Sequence, residues 1–437
     1  MSYSFDSDDF DGCRFDEFLN LPQAERDALL EALRPICDEG RQRGRTVHGI
    51  TRLGHTLGLI AANALLAKSA ERGPACFYSR ARSTYSSNGA YNPPWLTYRV
   101  LIDTIDKLTA AGLLEGVRSR ATGFGDSPRS TFEATDHLIG LLGGLEISAA
   151  GVARDEAAAP VLVLKGEAIR NTKPWLQYPR NALHIQALDQ PVRAFNAFLR
   201  EQQLDWAAPN EAVAALAQKE DEYRRRIGHP NPARRNLRRV FNDGSWQRGG
   251  RFYGGWWQAL PADLRQHVRI NDEPVVELDF GGFLPRAIYH QSNLDLPGDA
   301  YDIPEIRQRA EQQAMDWGGV VRPSVKKLMA VILNGSKPES RIGGIDLPKG
   351  LRKKRAYELI EAHHLPISEW FYKGRGVEIM NAESEICQRI LSEGVEAGVA
   401  VLPVHDSFIV PASQEAWLRE LMDRAYFDRF NRHPVIN

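Results

Sequence analysis

Residues 399–410 read VAVLPVHDSFIV, with an apolar arm on each side of a short polar tip. Apolar arms of this length joined by two polar residues are typical of a tight β-hairpin. The sequence therefore predicts a hairpin with His405 and Asp406 at its turn. A His-Asp pair on its own has several interpretations, and the rest of the chain has to decide among them.

A second informative stretch, residues 275–286, reads VVELDFGGFLPR. Its apolar strand ends at Asp279, small residues turn the chain, and a helix is predicted to begin near Pro285. A carboxylate at a strand end is held by a rigid backbone yet reaches solvent, which suits a ligand for a hard cation such as Mg²⁺. By itself, the stretch favours the simpler alternative that Asp279 caps the helix that follows it.

The third stretch, residues 322–335, reads RPSVKKLMAVILNG and predicts a helix that ends at Gly335. Its apolar side chains at helical spacing are predicted to face the core, and they are Val325, Leu328, Met329 and Ile332. The neighbouring stripe holds Arg322, Lys326, Ala330 and Asn334. Two cations one turn apart can grip a triphosphate, although a basic surface helix has the same pattern.

In this order, the three stretches resemble motifs A, B and C of the A-family DNA polymerases, whose motif A runs Asp-Tyr-Ser-x-x-Glu-x-Arg. The matching residues are Asp279, Phe280 (in place of tyrosine) and Arg286 in motif A, Arg322, Lys326 and Gly335 in motif B, and His405-Asp406 in motif C. Gly250-Arg251-Phe252 and residues 257–261, WQALP, resemble two segments that precede motif A in the family. The resemblance spans about residues 240–415, under half of the chain.

The resemblance implies a site that transfers nucleotides by a two-metal mechanism. The catalytic residues would be Asp279 and Asp406, which would bind two Mg²⁺ ions, or Mn²⁺ in their place, with the backbone carbonyl of Phe280 as a further ligand. The incoming nucleotide would contact Arg322, Lys326, Leu284 and Asn334. The primer–template would contact Arg251, Gln258, Arg286, His405 and Gly335.

Several positions depart from the family pattern and leave the choice of sugar open. Ser407 replaces the glutamate that follows His-Asp in the DNA polymerases, and His-Asp-Ser is found in single-subunit RNA polymerases. Leu284 replaces the glutamate that closes over the sugar, Asn334 replaces the motif B tyrosine, and Ala330 replaces an aromatic residue that stacks on the incoming base. Leu284 still has the bulk to crowd a 2′-hydroxyl, and Arg286 is typical of DNA polymerases. We therefore expect dNTPs as substrates, with rNTPs as the alternative.

A third carboxylate is a further candidate for the metal site. Glu383 and Glu385 lie on a predicted helix from Glu378 to Glu393, ahead of the hairpin. Either one is a candidate metal ligand that would stand in for the glutamate missing at position 407. The alternative is that both are solvent-facing helix charges.

The fold class predicted for the chain is α+β, with a right-hand polymerase palm on an antiparallel sheet, helical fingers and a mainly helical N-terminal half. The predicted divisions are a helical region at 1–72, a winged-helix-like domain at 73–155, a reduced thumb or connector at 156–237, and palm and fingers at 238–437, with the fingers at about 300–375. The connector is predicted to contain a strand at 161–164 and helices at 191–204 and 211–222.

The winged helix is predicted from the order of its elements. A helix is expected after Pro93-Pro94, a strand at Leu113-Leu114-Glu115, a glycine-rich loop at 122–128 and a return strand near Phe132. This order is typical of a fold that binds duplex DNA, and the same fold also serves as a protein-docking module.

Composition and charge narrow the class of protein. The chain has 437 residues, a net charge of −1 and 43% hydrophobic residues, an ordinary composition for a globular protein. No apolar run reaches the roughly 18 residues of a membrane span, and the acidic N-terminus is not typical of a signal peptide. The chain is therefore predicted to be cytoplasmic, without a membrane partner. The four cysteines are far apart, which favours structural thiols.

Basic residues concentrate at 224–251 and at 349–355, where each cluster either neutralises a phosphate backbone or is a solvated surface. The function predicted is a DNA polymerase without proofreading, with primase activity as an option, similar to small replication enzymes of plasmids, phages and mobile elements. Its partners would be a DNA primer–template, dNTPs or rNTPs, and a small accessory protein or helicase. The alternatives are a single-subunit RNA polymerase or primase, a non-catalytic DNA-binding replication initiator, and a metal phosphohydrolase.

Overall fold

The structure, a computed structural model, describes residues 13–68, 75–80, 82, 85, 90–118, 130–169, 173–214 and 235–437. These residues form a mixed α+β protein with two compact units. The N-terminal unit comprises the described residues up to Pro160 together with Gln177–Arg180. The C-terminal unit comprises Val161–Leu176 and the described residues from Asn181 to Asn437.

The N-terminal unit packs helices against two small sheets. Its helices are α1 (Gln23–Asp38), α2 (Val47–Lys68), α3 (Tyr98–Ala110) and α4 (Asp136–Gly144). Its strands are β1 (Cys13–Arg14), β2 (Leu19–Asn20), β3 (Cys76–Tyr78), β4 (Leu114–Glu115), β5 (Ser130–Ala134) and β6 (Ala153–Arg154). The sheet orders are β1-β3-β5-β4 and β2-β6. Leu57 of α2 and Leu101 of α3 belong to one core, so residues on both sides of the predicted 72/73 boundary share it.

The elements predicted for a winged helix are present in part. In α3, Leu101, Ile105 and Leu108 are buried, as their spacing predicts. The strands β4 and β5 pair antiparallel, with Leu114 opposite Ala134. The predicted glycine-rich loop at 122–128 lies outside the described residues, so the winged helix stays a prediction.

Helix α2 is long and apolar enough to cross a membrane, and it is the one helix among the described residues with that length and composition. Its most apolar stretch has a mean hydropathy of 1.2, and 67% of that stretch is buried inside the protein. This burial is typical of a core helix, whose apolar side chains pack against neighbouring elements.

The C-terminal unit carries the three stretches that the sequence analysis singled out. Its strands are β7 (Leu162–Leu164), β8 (Leu204–Trp206), β9 (Arg238–Asn242), β10 (Ser245–Tyr253), β11 (Val268–Ile270), β12 (Glu273–Asp279), β13 (Leu402–Val404) and β14 (Ser407–Pro411). Its helices are α5 (Leu183–Arg200), α6 (Ala262–Arg265), α7 (Phe283–Gln291), α8 (Pro304–Gln312), α9 (Arg322–Asn334), α10 (Lys353–His363), α11 (Gly376–Ala397) and α12 (Glu415–Phe430).

A five-stranded antiparallel sheet of order β13-β14-β12-β11-β8 forms the centre of this unit. The strand β12 lies in the middle, and its Leu278 packs in the core. A second sheet, β10-β9-β7, combines an antiparallel pair with the parallel pair β7 and β9. The predicted hairpin and the predicted helix at 322–334 are both observed.

One prediction about the connector needs correction, and a second is described only in part. The helix predicted to begin at Pro191 is α5, which begins at Leu183 and contains Pro191 in its interior. The helix predicted at 211–222 is described only at 210–214, and the rest lies outside the described residues.

The basic cluster predicted at 224–251 is described only in part, and one of its described arginines is buried. Residues 224–226 and Arg234 lie outside the described residues. Arg239 is buried and donates hydrogen bonds to the Gly250 carbonyl (3.0 Å) and to Ser384 Oγ (2.9 Å). Burial lowers the pKa of its guanidinium to about 10. Arg239 therefore holds β9, β10 and α11 together and is not available to a phosphate backbone.

Candidate active site

Two aspartates lie side by side at one end of the five-stranded sheet. Asp279 is the last residue of β12 and pairs with Ser407, the first residue of β14. Asp406 precedes Ser407, and its carbonyl accepts a hydrogen bond from the Phe280 N–H at 3.1 Å. The two strand ends are therefore bonded to each other, and both carboxylates are half-buried. The hairpin therefore places Asp406 at the end of the strand that carries Asp279.

The turn that holds Asp406 has only two residues. Its first residue, His405, has a φ of 62°, in the left-handed region that two-residue hairpins require and that glycine or asparagine usually fills. Such a conformation costs about 1–3 kcal/mol for other residues. The buried strand residues Leu402, Phe408 and Ile409 fix the hairpin and keep His405 in this conformation.

The His405 side chain is half-buried and its Nδ1 has no hydrogen-bond partner within the part of the chain that the structure describes. The Tyr253 ring lies edge-on to the imidazole, with ring centroids 5.4 Å apart. Burial lowers the pKa of His405 to about 4, helped by the positive charges of Arg251 and Arg265. The imidazole is therefore neutral at neutral pH, and its Nδ1 is a buried nitrogen without a hydrogen bond among the described residues.

The charges around Asp406 are those expected of a cation site. Burial raises the pKa of Asp406 above its ordinary value, Arg251 and Lys326 oppose this effect, and the Asp279 charge adds to it. A bound cation would relieve this unfavourable state of the carboxylate.

The donor set at this site consists of two carboxylates and nearby backbone carbonyls. Among the described residues there is no cluster of three or more histidine, cysteine, aspartate or glutamate side chains arranged to hold a metal. Two carboxylates fit Mg²⁺, which keeps several waters and shares its remaining positions with substrate phosphates. They do not fit a structural zinc site, which takes four protein ligands.

Arg251 and Glu383 form an ion pair next to the aspartates. Arg251 of β10 donates two hydrogen bonds of 2.6 Å to the carboxylate of Glu383 on α11, whose side chain is only 4% exposed. Burial raises the pKa of Glu383, Arg251 lowers it, and the Asp406 charge raises it further, which places Glu383 within electrostatic range of Asp406. Glu385 is exposed and lies 3.5 Å from Arg429. Of the two glutamates named from the sequence, only Glu383 lies toward the aspartates.

The close approach of β10 to α11 depends on Gly250. Its φ of 91° is unfavourable for any side chain, and a Cβ there would lie 2.6 Å from Ser384 Oγ and 2.9 Å from the Phe241 ring. Glycine at this position brings Arg251, the next residue, within reach of Glu383.

The helix α9 carries the two cations that the sequence predicts to hold a triphosphate. Its predicted apolar face, Val325, Leu328, Met329 and Ile332, is buried. Lys326 is exposed and close enough to Asp406 to lower the pKa of that carboxyl. Arg322 binds Asp299 through two hydrogen bonds of 2.6 and 2.9 Å. These bonds raise the pKa of Arg322, and the charge of Asp279 adds to the effect, so Arg322 lies within electrostatic range of Asp279 as Lys326 does of Asp406.

Gln258 and Arg286, which were also predicted at the site, donate hydrogen bonds to backbone carbonyls. Gln258 donates to the carbonyls of Phe252 and Pro403, both at 3.0 Å, and so joins β10 to the hairpin. Arg286 is buried and donates to the carbonyls of Gly281, Leu296 and Gly298. In this conformation Arg286 braces the loop after α7 and does not face an open surface, in contrast to its predicted contact with the primer–template.

Three further predicted residues lie around these elements. Leu284 is half-buried in α7, and Asn334 is exposed at the end of α9, where its amide donates to the Ala330 carbonyl at 3.0 Å. A Cβ on Gly335 would lie 2.6 Å from the Val331 carbonyl, so the end of α9 leaves no room for a side chain there.

The structure also brings to the site residues that the sequence analysis did not name. Ser407 Oγ donates to Glu277, which is also bound by Arg265 through two bonds of 2.7 Å. Glu277 lies two residues before Asp279 in β12. Because side chains alternate between the two faces of a strand, both lie on the same face, and this spacing could have identified Glu277 from the sequence. The Asn437 amide donates to Asp279 Oδ1 at 3.0 Å. No local pattern connects Asn437 with Asp279, because their contact is purely tertiary.

Comparisons with known proteins give little beyond this geometry. Searches of protein-family models and of curated proteins found no match. Among solved structures, the chain is similar to the POL domain of Pol1 from M. smegmatis in complex with DNA primer-template and dNTP, with 12% sequence identity and a TM-score of 0.28. The match covers 57% of this chain and 65% of that chain, which is less than two thirds of its length. A likeness at this level does not assign a family or a function.

Proposed function

We propose that the C-terminal unit is a template-directed nucleotidyltransferase, a DNA polymerase that extends a primer with dNTPs. The observation that carries this proposal is the pairing of Asp279 and Asp406 at bonded strand ends, with Arg322 and Lys326 of α9 within electrostatic range. Carboxylates with cations nearby match what phosphoryl transfer needs, which is charge neutralisation around a positioned phosphate.

Asp279 and Asp406 would hold two Mg²⁺ ions, with the carbonyl of Phe280 as a further ligand. When bound, such ions lower the pKa of an attacking hydroxyl and neutralise a leaving pyrophosphate. Lys326 and Arg322 would bind the β- and γ-phosphates from the side of α9. Glu383 would act on the site through Arg251 and through its charge near Asp406, because both of its oxygens are engaged by the guanidinium.

The primer terminus would lie against His405 and Arg251. The neutral His405 imidazole has an Nδ1 without a hydrogen bond among the described residues, and Arg251 is held in one orientation by Glu383. Base pairing would then supply the sequence specificity, and the protein would contact mainly the backbone of the duplex. The N-terminal unit, with its winged-helix-like elements, would add contacts to duplex DNA.

A single-subunit RNA polymerase or primase is the second candidate, favoured by the sequence His405-Asp406-Ser407. Leu284, at the position that would face the sugar, has the bulk to crowd a 2′-hydroxyl, and for this reason we place dNTPs first.

The test is extension of a labelled DNA primer on a DNA template with Mg²⁺, comparing dNTPs with rNTPs and including lanes without primer. Extension with dNTPs is the expected result, and products without primer would add primase activity. Synthesis from rNTPs alone would replace the proposal by the RNA-polymerase alternative. Absence of product in every lane, with DNA binding retained, would refute catalysis and favour a replication initiator.

A further inference from the structure

The proposed triphosphate-binding cation Arg322 already holds an anion in this structure. Asp299 accepts hydrogen bonds from Nε and Nη2 of Arg322, at 2.6 and 2.9 Å. These two nitrogens form the forked edge with which a guanidinium binds carboxylates and phosphates in pairs. A phosphate that approached this edge would meet the Asp299 carboxylate in its place.

Tyr301, two residues further on, lies under both cations of α9. The guanidinium carbon of Arg322 is 5.0 Å and Lys326 Nζ is 5.9 Å from the centre of the Tyr301 ring. The ring is buried, with 5% of the residue exposed. Asp299 and Tyr301 are joined locally, because the Tyr301 N–H donates to Asp299 Oδ1 at 3.2 Å.

Tyr301 also lies within electrostatic range of Asp406. Burial raises the pKa of its hydroxyl, and the next largest influence is the charge of Asp406, followed by the charges of Arg322 and Asp299. Asp299 and Tyr301 therefore contact the α9 cations directly, and Tyr301 is close enough to Asp406 for that charge to act on its hydroxyl.

We propose that Asp299 is an internal counter-anion for the triphosphate site, which releases the forked edge of Arg322 when a nucleotide binds, while Tyr301 is a positioning residue that keeps Arg322 and Lys326 in place. This inference rests on the nucleotide-binding role proposed above for α9. Nucleotide binding then includes an exchange of one anion for another at Arg322. The exchange lowers the affinity of every anion that uses this edge of Arg322, so a multiply charged triphosphate, which has further contacts to offset the loss, remains a ligand where a weakly charged anion does not.

The test is calorimetric binding of inorganic tripolyphosphate and of a dNTP to the full chain in excess Mg²⁺ without primer–template. Asp299→Asn keeps the size of the side chain and an acceptor for the Tyr301 N–H but loses the charge that competes with phosphate. We expect Asp299→Asn to bind both ligands about fivefold more tightly, since a half-exposed ion pair is worth on the order of 1 kcal/mol. Unchanged or weaker binding would overturn the counter-anion role.

Asp302→Asn is a matched control. Asp302 directly follows Tyr301, its side chain has the same 34% exposure as that of Asp299, and it pairs with Arg307 instead of Arg322. The variant should bind both ligands like the wild type. An equal gain in Asp302→Asn would show a general charge effect and would also overturn the proposal.

The positioning role of Tyr301 has its own readout. Tyr301→Phe keeps the ring and should bind like the wild type, whereas Tyr301→Ala should weaken tripolyphosphate binding and raise KM for the dNTP with a smaller change in kcat. Equal losses in the two variants would contradict the role of the ring. Thermal unfolding of each variant identifies any loss that comes from misfolding. Tripolyphosphate binding needs no catalysis, so failure of primer extension in the wild type would refute the polymerase function separately from these binding results.

Discussion

The surroundings of Asp406 disfavour the charged form of its side chain. It is half-buried beside a second carboxylate, and burial together with the Asp279 charge raises its pKa. In the metal-free protein, the folded state therefore binds a proton at Asp406 more tightly than the unfolded chain does. The stabilising effect of that proton is fully present at low pH and is lost as the pH rises through the folded-state pKa.

We expect Asp406→Asn to raise the unfolding midpoint of the metal-free protein at pH 7, because the amide removes a buried charge that lacks its cation. The gain should disappear at a pH of about 3, below the ordinary pKa of an aspartate, where Asp406 is protonated in both states. Thermal unfolding in EDTA at several pH values measures this, with the exposed Asp295→Asn as the control. A variant less stable than the wild type at pH 7 would contradict the description of the site.

The site residues that could be predicted from the sequence are those whose position depends on local structure. Asp279 ends an apolar strand and Asp406 follows an apolar arm, so periodicity alone puts each at the end of an element. Asp299 and Tyr301 could not be predicted, because they reach Arg322 and Lys326 across a tertiary fold. Arg286 was predicted to contact the primer–template, and a sequence match could not reveal that three backbone carbonyls surround its guanidinium.

At the scale of elements, the packing of β10 on α11 depends on a buried ion pair. Arg251 and Glu383 neutralise each other beside Asp406, in a place where either charge alone would be poorly solvated. Replacing one partner of such a pair leaves an uncompensated buried charge, whereas replacing both with apolar residues of similar size is often neutral.

We expect Arg251→Met to lower the free energy of unfolding by about 3–5 kcal/mol, and Arg251→Met combined with Glu383→Leu to recover most of the loss. Urea unfolding of the two single variants and the double variant measures the coupling. The exposed pair Arg355–Glu358 of α10 is the control, and Arg355→Met should cost less than about 1 kcal/mol. A double variant no more stable than Arg251→Met would show that the ion pair does not explain the loss.

Elements with an uninterrupted helical pattern, such as α9, could be predicted almost to the residue. The start of α5 could not, because Pro191 is a typical first-turn residue and suggested a helix that begins there. In the structure the apolar face continues through Pro191, with Ile185, Val192, Phe195 and Leu199 buried. Burial of this face outweighs the hydrogen bond that an interior proline removes.

At the scale of the molecule, the C-terminal unit begins well before the predicted palm. The strand β7 pairs with β9, β8 pairs with β11, and the Asn196 side chain exchanges two hydrogen bonds of 2.8 Å with the backbone of Leu237. These pairings could not be predicted, because a strand of three residues carries too little periodicity to identify its partner.

We expect a fragment of residues 161–437 to fold cooperatively and a fragment of residues 238–437 to lose that cooperativity. The shorter fragment leaves an edge of β9 and an edge of β11 without their partners, and it removes α5, whose Phe195 and Leu199 are buried. Circular dichroism during urea unfolding distinguishes the two fragments. Equal, cooperative unfolding of both would contradict this description of the C-terminal unit.

The central claim is that Asp279 and Asp406 together carry nucleotidyl transfer, and single-turnover primer extension with dNTPs and Mg²⁺ tests it most directly. The wild type and Asp295→Asn should extend the primer, whereas Asp279→Asn and Asp406→Asn should each lose at least about a thousandfold in rate, because each removes a ligand from ions that stabilise the transition state. Both inactive variants should keep the wild-type circular dichroism spectrum and primer–template affinity. Extension at a rate near that of the wild type by either variant would contradict the claim.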